Sequence, residues 1–95
     1  VAAHFGGYRM WDEVEEYLLG KENIYLDTSY CPPEALPDAR MLGIIRGHGV
    51  ERVLFASDFP FGEPAADMER LEKSGLGEAE IEQIYWTNGA RLLGL

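Results

Sequence analysis

The stretch Arg52-Val53-Leu54-Phe55-Ala56-Ser57-Asp58-Phe59-Pro60-Phe61 constrains the fold more than any other part of this chain. Its first half is a short apolar run with β-branched and aromatic residues, bounded by charge on one side and by Asp and Pro on the other, which reads as a buried strand. Pro60 has no N–H to give a ladder and biases Phe59 away from helix, so the strand has to stop near Asp58. That leaves the Asp58 carboxylate at the strand's C-terminal end, where chemistry sits in α/β folds. Taken alone, an Asp before a proline loop reads more simply as a turn cap. Alternation places Leu54, Ala56 and Asp58 on one face and Val53, Phe55 and Ser57 on the other. Two mostly apolar faces are the pattern of a parallel strand covered on both sides.

The rest of the chain supplies units of the same kind. Residues 1 to 4 read as the end of a strand that leaves His4 at a strand-to-loop junction, and Phe5-Gly6-Gly7 as a turn whose glycines permit positive φ or close approach of another group. Trp11, Val14, Tyr17 and Leu18 recur at helical spacing over residues 11 to 19, with Asp12 and Glu13 suited to the N-terminal end of the dipole and Gly20 to the stop. Residues 23 to 29 alternate as a second strand, and the three prolines between Tyr30 and Pro37 mark an extended loop. Asp38 is placed to cap a helix over residues 39 to 46. After the Pro60 loop, helices are expected from Pro64 to Lys73 and from Glu78 to Trp86, with Asn88 capping the last turns, Ala90 to Leu93.

Strand, helix, strand, helix, strand, then helices is the order of right-handed βαβ units. Three parallel strands with helices on one face leave the other face and both edges open. In a (β/α)8 barrel of about 250 residues the other five units would cover them. Val1-Ala2-Ala3-His4 begins inside an apolar run like a strand cut open, which an unusual start or an excerpt of a longer chain would explain equally.

Composition narrows the function. The 95 residues carry 17 acidic against 8 basic side chains, a formal charge of −9, with the basic residues scattered, so the chain lacks the footprint a nucleic acid requires. No apolar run approaches the ~18 residues of a membrane span. One cysteine, Cys31, rules out an internal disulfide and no signal-peptide pattern opens the chain, so a reducing cytoplasm is the expected location.

Taken together, His4-Phe5-Gly6-Gly7, the strand ending Asp27-Thr28-Ser29, the block Ser57-Asp58-Phe59-Pro60 and the terminal Asn88-Gly89-Ala90-Arg91-Leu92-Leu93-Gly94-Leu95 resemble the C-terminal part of amidohydrolase family 2, the barrel enzymes related to aminocarboxymuconate-semialdehyde decarboxylase. Gly89 stands where that family usually has Ala. The resemblance implies one partial barrel domain over residues 1–95, its units equivalent to barrel strands six to eight. It also implies a divalent metal, zinc by preference, with His4 matching the sixth-strand His beside the metal-bound water and Asp58 the eighth-strand ligand. Both are therefore candidate catalytic and metal-site residues. The family's His-x-His pair and fifth-strand His have no counterpart here, and a catalytic zinc takes about three protein ligands. The metal belongs only to a complete site.

Other residues weigh differently. By spacing alone His4 is a histidine satisfied by a backbone carbonyl; Gly6-Gly7 and the resemblance reverse that reading. His48, between glycines at a helix end, is structural. Asp27 and Ser29 point toward the same mouth as Asp58 and are read as loop caps before substrate contacts. Cys31 has no partner to depress its pKa. Tyr8, Arg9 and Trp11 could meet an anionic substrate, with surface packing ranked first, and Glu13, Glu15 and Glu16 form a solvated face.

The expected function is the C-terminal part of a metal-dependent enzyme that hydrolyses or non-oxidatively decarboxylates a small carboxylated or cyclic substrate, the 95-residue chain alone being inactive. The alternative is a catalytically silent fragment that self-associates or packs on another chain through its open sheet.

Overall fold

A computed structural model describes residues 1–57 and 63–95 of the chain. Asp58 and the Pro60 loop, on which the sequence argument turned, lie outside the described residues. Helix α1 spans Trp11–Tyr17, strand β1 Leu26–Asp27, α2 Asp38–His48, β2 Val53–Leu54, α3 Pro64–Glu72, α4 Glu78–Glu82 and α5 Asn88–Leu93. A π-helical segment, Gln83–Thr87, joins α4 to α5, and short 3-10 turns occupy His4–Gly6 and Val50–Arg52. The fold is mixed α/β with parallel pairing, as the pattern of units requires.

The two strands pair in parallel, Leu26 opposite Val53 and Asp27 opposite Leu54. The expected first strand contracts to a single parallel bridge between Ala2 and Leu26. Ala2 N–H donates to Tyr25 C=O at 2.7 Å and Asp27 N–H to Ala2 C=O at 3.0 Å. Extended pairing stops there because His4 and Phe5 turn to positive φ. All three segments still run the same way, so His4, Asp27 to Ser29, and Ala56 to Ser57 lie at one end of the sheet.

The core fills the space between sheet and helices. Phe5, Leu26, Val53, Ile44, Ile45 and Ile84 are fully buried, and helix α2 contributes Met41, Ile44, Ile45 and His48 to it. Burying side chains of this size stabilises a fold by about 1.5–3 kcal/mol each. His48 links two loops: its Nδ1 accepts from Gly20 N–H at 3.1 Å while Nε2 faces Ile24 C=O at 2.6 Å. A carbonyl can only accept, so the ring proton sits on Nε2 and the buried imidazole is neutral. This structural role is the one expected, reached without a charge at the helix end. On the surface, Arg40 of α2 pairs with Asp12 and Glu15 of α1, each at 2.6 Å. One residue of the acidic face is thus a partner between helices.

Asn88 differs from its expected role. It has helical angles (φ −65°, ψ −44°) and is fully buried, so it does not cap a helix. Its amide donates to Val50 C=O at 2.7 Å and to Val53 C=O at 2.8 Å. Ile84 C=O, in the π segment, accepts from Phe55 N–H at 3.2 Å. In a parallel pair alternate residues turn their backbone groups to opposite sides. Leu54 faces β1, so Val53 C=O and Phe55 N–H belong to the outer edge. The C-terminal helix therefore covers an edge that the pattern of strands left open.

Candidate functional site

Residues Val1 to Gly7 deliver His4 to the C-terminal end of β1. His4 and Phe5 adopt left-handed angles, φ 54° and φ 52°, as do Arg9 (φ 60°) and Tyr30 (φ 33°) in the neighbouring loops. Such angles cost about 1–3 kcal/mol per non-glycine residue and persist only where the surroundings enforce them. Here the enforcing groups are visible. Phe5 is buried to 0% exposure beneath the turn. At Gly6, with φ +101°, an added Cβ would stand 2.8 Å from Val14 Cγ2, so helix α1 closes over a backbone that only glycine can supply. Trp11 Nε1–H donates to His4 C=O at 2.9 Å.

The end of β1 grips His4 from the other side. Its N–H is shared between Asp27 Oδ1 and Ser29 Oγ, both at 3.2 Å. Asp27 Oδ1 also accepts from Ser29 N–H at 3.0 Å and from Ser29 O–H at 2.6 Å. The imidazole Nδ1 lies 2.7 Å from Ser29 C=O. Because that oxygen cannot donate, Nδ1 carries a proton, and in the neutral ring the lone pair is on Nε2. Among the described residues nothing bonds Nε2. The loop-capping expected of Asp27 is present, and the same oxygen reaches His4 as well.

Aromatic rings surround this imidazole. Tyr8 packs edge-on to His4 with centroids 5.9 Å apart, stacks on Tyr30 at 5.9 Å, and meets Trp11 edge-on at 5.9 Å. The Arg9 guanidinium carbon lies 5.3 Å from the Tyr8 centroid. Trp11 is core and Tyr8 is partly exposed beside His4, while Arg9 is exposed.

Thr28 extends the ladder past β1: its N–H donates to Leu54 C=O at 3.0 Å, and its hydroxyl both donates to Ala56 C=O and accepts from Ala56 N–H at 3.0 Å. This fixes the backbone two residues before Asp58. Asp58 itself lies outside the described residues.

The loop beyond Ser29 is held by Arg70 of α3, which donates to Cys31 C=O and Leu36 C=O and pairs with Asp38 at 2.5 Å. A cavity of about 20 Å³ beneath it is lined by Thr28, Cys31, Met41, Asp67, Arg70 and Leu71, room for a single water. Among the described residues Asp67 Oδ2 is buried there without a hydrogen bond, and burial raises the Asp67 carboxyl despite Arg70. Burial likewise pushes the Cys31 thiol up to about 12, Arg70 opposing and Asp27 and Asp67 reinforcing it. Cys31 is an inert thiol donating to Ser29 C=O at 3.2 Å, in keeping with its expected lack of activation.

Among the described residues no three His, Cys, Asp or Glu side chains cluster as a metal site. His4 Nε2 is one nitrogen of the right kind, oriented by its second hydrogen bond as metal-site histidines are. Asp27 Oδ1 is already engaged by three donors. The described residues alone therefore do not fit a metal ion. Arg70 is a structural residue that sequence reasoning missed, and Asn88 one that it read as a cap; a buried Asn or Arg serving distant carbonyls leaves no periodic signal.

Comparison with known proteins agrees with this architecture. The family model described as Amidohydrolase matches residues 1–95. No curated protein matches the sequence significantly. Among solved structures, a dihydroxybenzoic acid decarboxylase from Polaromonas sp. JS666, with bound manganese and the inhibitor 2-nitroresorcinol, superposes with a TM-score of 0.71 at 24% identity, over 98% of this chain and 32% of that one. A 2,6-dihydroxybenzoate decarboxylase from Rhizobium superposes with a TM-score of 0.68 at 22% identity, over 97% and 33%. At these identities the likeness speaks for the fold alone: the matched structures are TIM-barrel amidohydrolases, and this mixed α/β chain superposes on part of them. The chain spans about a third of the length of these structures. Among the described residues no helix is long and apolar enough to cross a membrane.

Proposed function

Because the chain belongs to amidohydrolase family 2 over residues 1–95, we propose that it forms the C-terminal third of a (β/α)8 barrel, strands six to eight, in an enzyme acting on a small carboxylated or cyclic substrate. The reaction is hydrolysis or non-oxidative decarboxylation. His4 is its acid–base residue, and Asp58 is a ligand to a divalent metal whose remaining ligands come from other barrel strands. The family resemblance names zinc; the Polaromonas relative carries manganese.

One observation carries this reading. His4 stands at the C-terminal end of parallel strands with Nδ1 on Ser29 C=O and an Nε2 that no described residue bonds. That is the form in which a histidine takes a proton at Nε2 and later returns it. In hydrolysis the proton comes from the attacking water and goes to the leaving group. In decarboxylation Nε2, once protonated, supplies the proton to the carbon that loses the carboxylate. The partly exposed Tyr8 and the exposed Arg9 offer an aromatic face and a cation beside it, suited to a planar anion. A metal ion, when bound, supplies Lewis-acid polarisation of the reacting oxygen.

The test is turnover of a panel of aryl and cyclic carboxylates by the full natural chain, before and after chelation and after adding zinc or manganese. Turnover that chelation abolishes and either ion restores supports the reading. Chelator-insensitive turnover, or none on any member of the panel with metal present, counts against it.

A further inference from the structure

We infer that Asp27 is a positioning residue for His4, holding by one carboxylate oxygen both the peptide that carries the imidazole and the carbonyl that orients it. The inference rests on His4 being the acid–base residue of the proposed site, but its geometry stands apart from any metal.

Three donors converge on Asp27 Oδ1: His4 N–H at 3.2 Å, Ser29 N–H at 3.0 Å and Ser29 O–H at 2.6 Å. The first is the amide of a residue in a disfavoured left-handed conformation, φ 54°. The second and third fix Ser29, whose carbonyl receives the imidazole Nδ1 at 2.7 Å. A carboxylate accepts such bonds more strongly than a neutral group. It therefore sets the backbone at His4 and the direction of Ser29 C=O together. Without Asp27, neither His4 N–H nor Ser29 O–H has a charged acceptor, and the carbonyl that selects the Nδ1-protonated tautomer is free to turn away. Nε2 would then carry the proton in part of the molecules.

The chain contains its own reference. Its second histidine, His48, shows the opposite tautomer, with Nδ1 accepting from Gly20 N–H and Nε2 on Ile24 C=O. Among the described residues no hydrogen bond joins Asp27 to that pair.

The experiment is long-range ¹H–¹⁵N correlation on the ¹⁵N-histidine-labelled full natural chain, with the His4 signals assigned by their loss in His4→Gln. In the unsubstituted protein His4 Nδ1 resonates as a protonated ring nitrogen and His48 Nδ1 as an unprotonated one. Asp27→Ala moves the His4 pair toward averaged values and leaves His48 in place; Asp27→Asn, which keeps an acceptor oxygen, restores the His4 pattern at least in part. In kinetics, Asp27→Ala lowers kcat tenfold or more with KM changed less than threefold. Where Asp27→Ala does not fold, Asp27→Glu carries the test, because it keeps the charge and displaces the oxygen by one methylene; it should shift the His4 signals in the same direction. His4 signals unchanged in a folded Asp27→Ala or Asp27→Glu protein would overturn the inference. The ring signals need no turnover, so they decide the role of Asp27 even if the proposed reaction fails. Metal-dependent turnover with unmoved ring signals would remove this inference alone.

Discussion

His4 Nδ1 lies 2.7 Å from the carbonyl oxygen of Ser29, two residues that are 25 positions apart and stand on neighbouring parallel segments. This contact assigns the ring proton to Nδ1 and leaves Nε2 to act. It depends on register, because the bridge at Ala2 and Leu26 places His4 beside the end of β1. A slip by one residue would send the imidazole to the other face.

The buried Asn88 amide serves the carbonyls of Val50 and Val53. Asn88→Ala should strip Val53 C=O of its donor and leave Val50 C=O with the Val53 N–H alone, destabilising the fold by about 1–3 kcal/mol. Asn88→Asp should cost more, since a carboxylate donates nothing and brings a charge into the core. Urea unfolding of the three proteins checks the order; an Asn88→Ala midpoint equal to the parent's would contradict it.

Gly43 lies within α2 with open space around its Cβ position, and at Gly89 an added Cβ would meet Leu54 Cδ2 at 4.0 Å, ordinary contact. Neither glycine has the positive φ that would bar alanine. Gly43→Ala and Gly89→Ala should each stabilise by about 0.5–1 kcal/mol. Gly6→Ala should do the reverse, because its Cβ would collide with Val14. Thermal midpoints falling for the first two, or holding for the third, would show that the helix packing is wrong.

Alkaline pH should weaken the fold in a defined window. Cys31 is pushed from 9.0 up to about 12 by burial, and Tyr85 from 10.0 up to about 12 by burial and then by Glu72. Both keep their protons in the native state where the unfolded chain has lost them, so the unfolded state binds fewer protons and stability falls as pH rises. The contribution is intact below pH 9 and is lost from there toward 12. Cys31→Ala should flatten the early part of that decline in a urea series from pH 8 to 11. An equally steep decline in the variant would dismiss Cys31 as its source.

The 95-residue chain produced alone should self-associate. Val1, Trp86, Leu93 and Leu95 are exposed apolar residues, and in the proposed barrel the remaining units would cover part of such surface. Sedimentation velocity decides this: species heavier than the 10.7 kDa monomer are expected, and one compact monomer would refute it.

Local chemistry made much of the architecture legible. Gly20 and the apolar spacing of α1 to α3 carry their own boundaries, and the two-sided run after Arg52 announces parallel pairing. Other features depend on distant partners. Asp27 and Ser29 reach His4 across 23 and 25 residues, a contact fixed by strand register rather than by any spacing within a segment. Asn88 resembles a cap in sequence because asparagine favours caps; its burial against Val50 and Val53 overrides that preference. The π segment Gln83–Thr87 holds Ile84, whose C=O accepts from Phe55 N–H, a contact that no periodicity encodes. The first strand shortened because His4 and Phe5 leave extended angles to meet Asp27 and Trp11.

The most direct test of the account is a pair of variants of the full natural chain, His4→Ala and Asp58→Ala, assayed for bound metal by elemental analysis and for metal-dependent turnover on the substrate the panel identifies. The account predicts that His4→Ala keeps its metal and loses turnover by a hundredfold or more, while Asp58→Ala loses both. Turnover by His4→Ala at the parent's rate would contradict it.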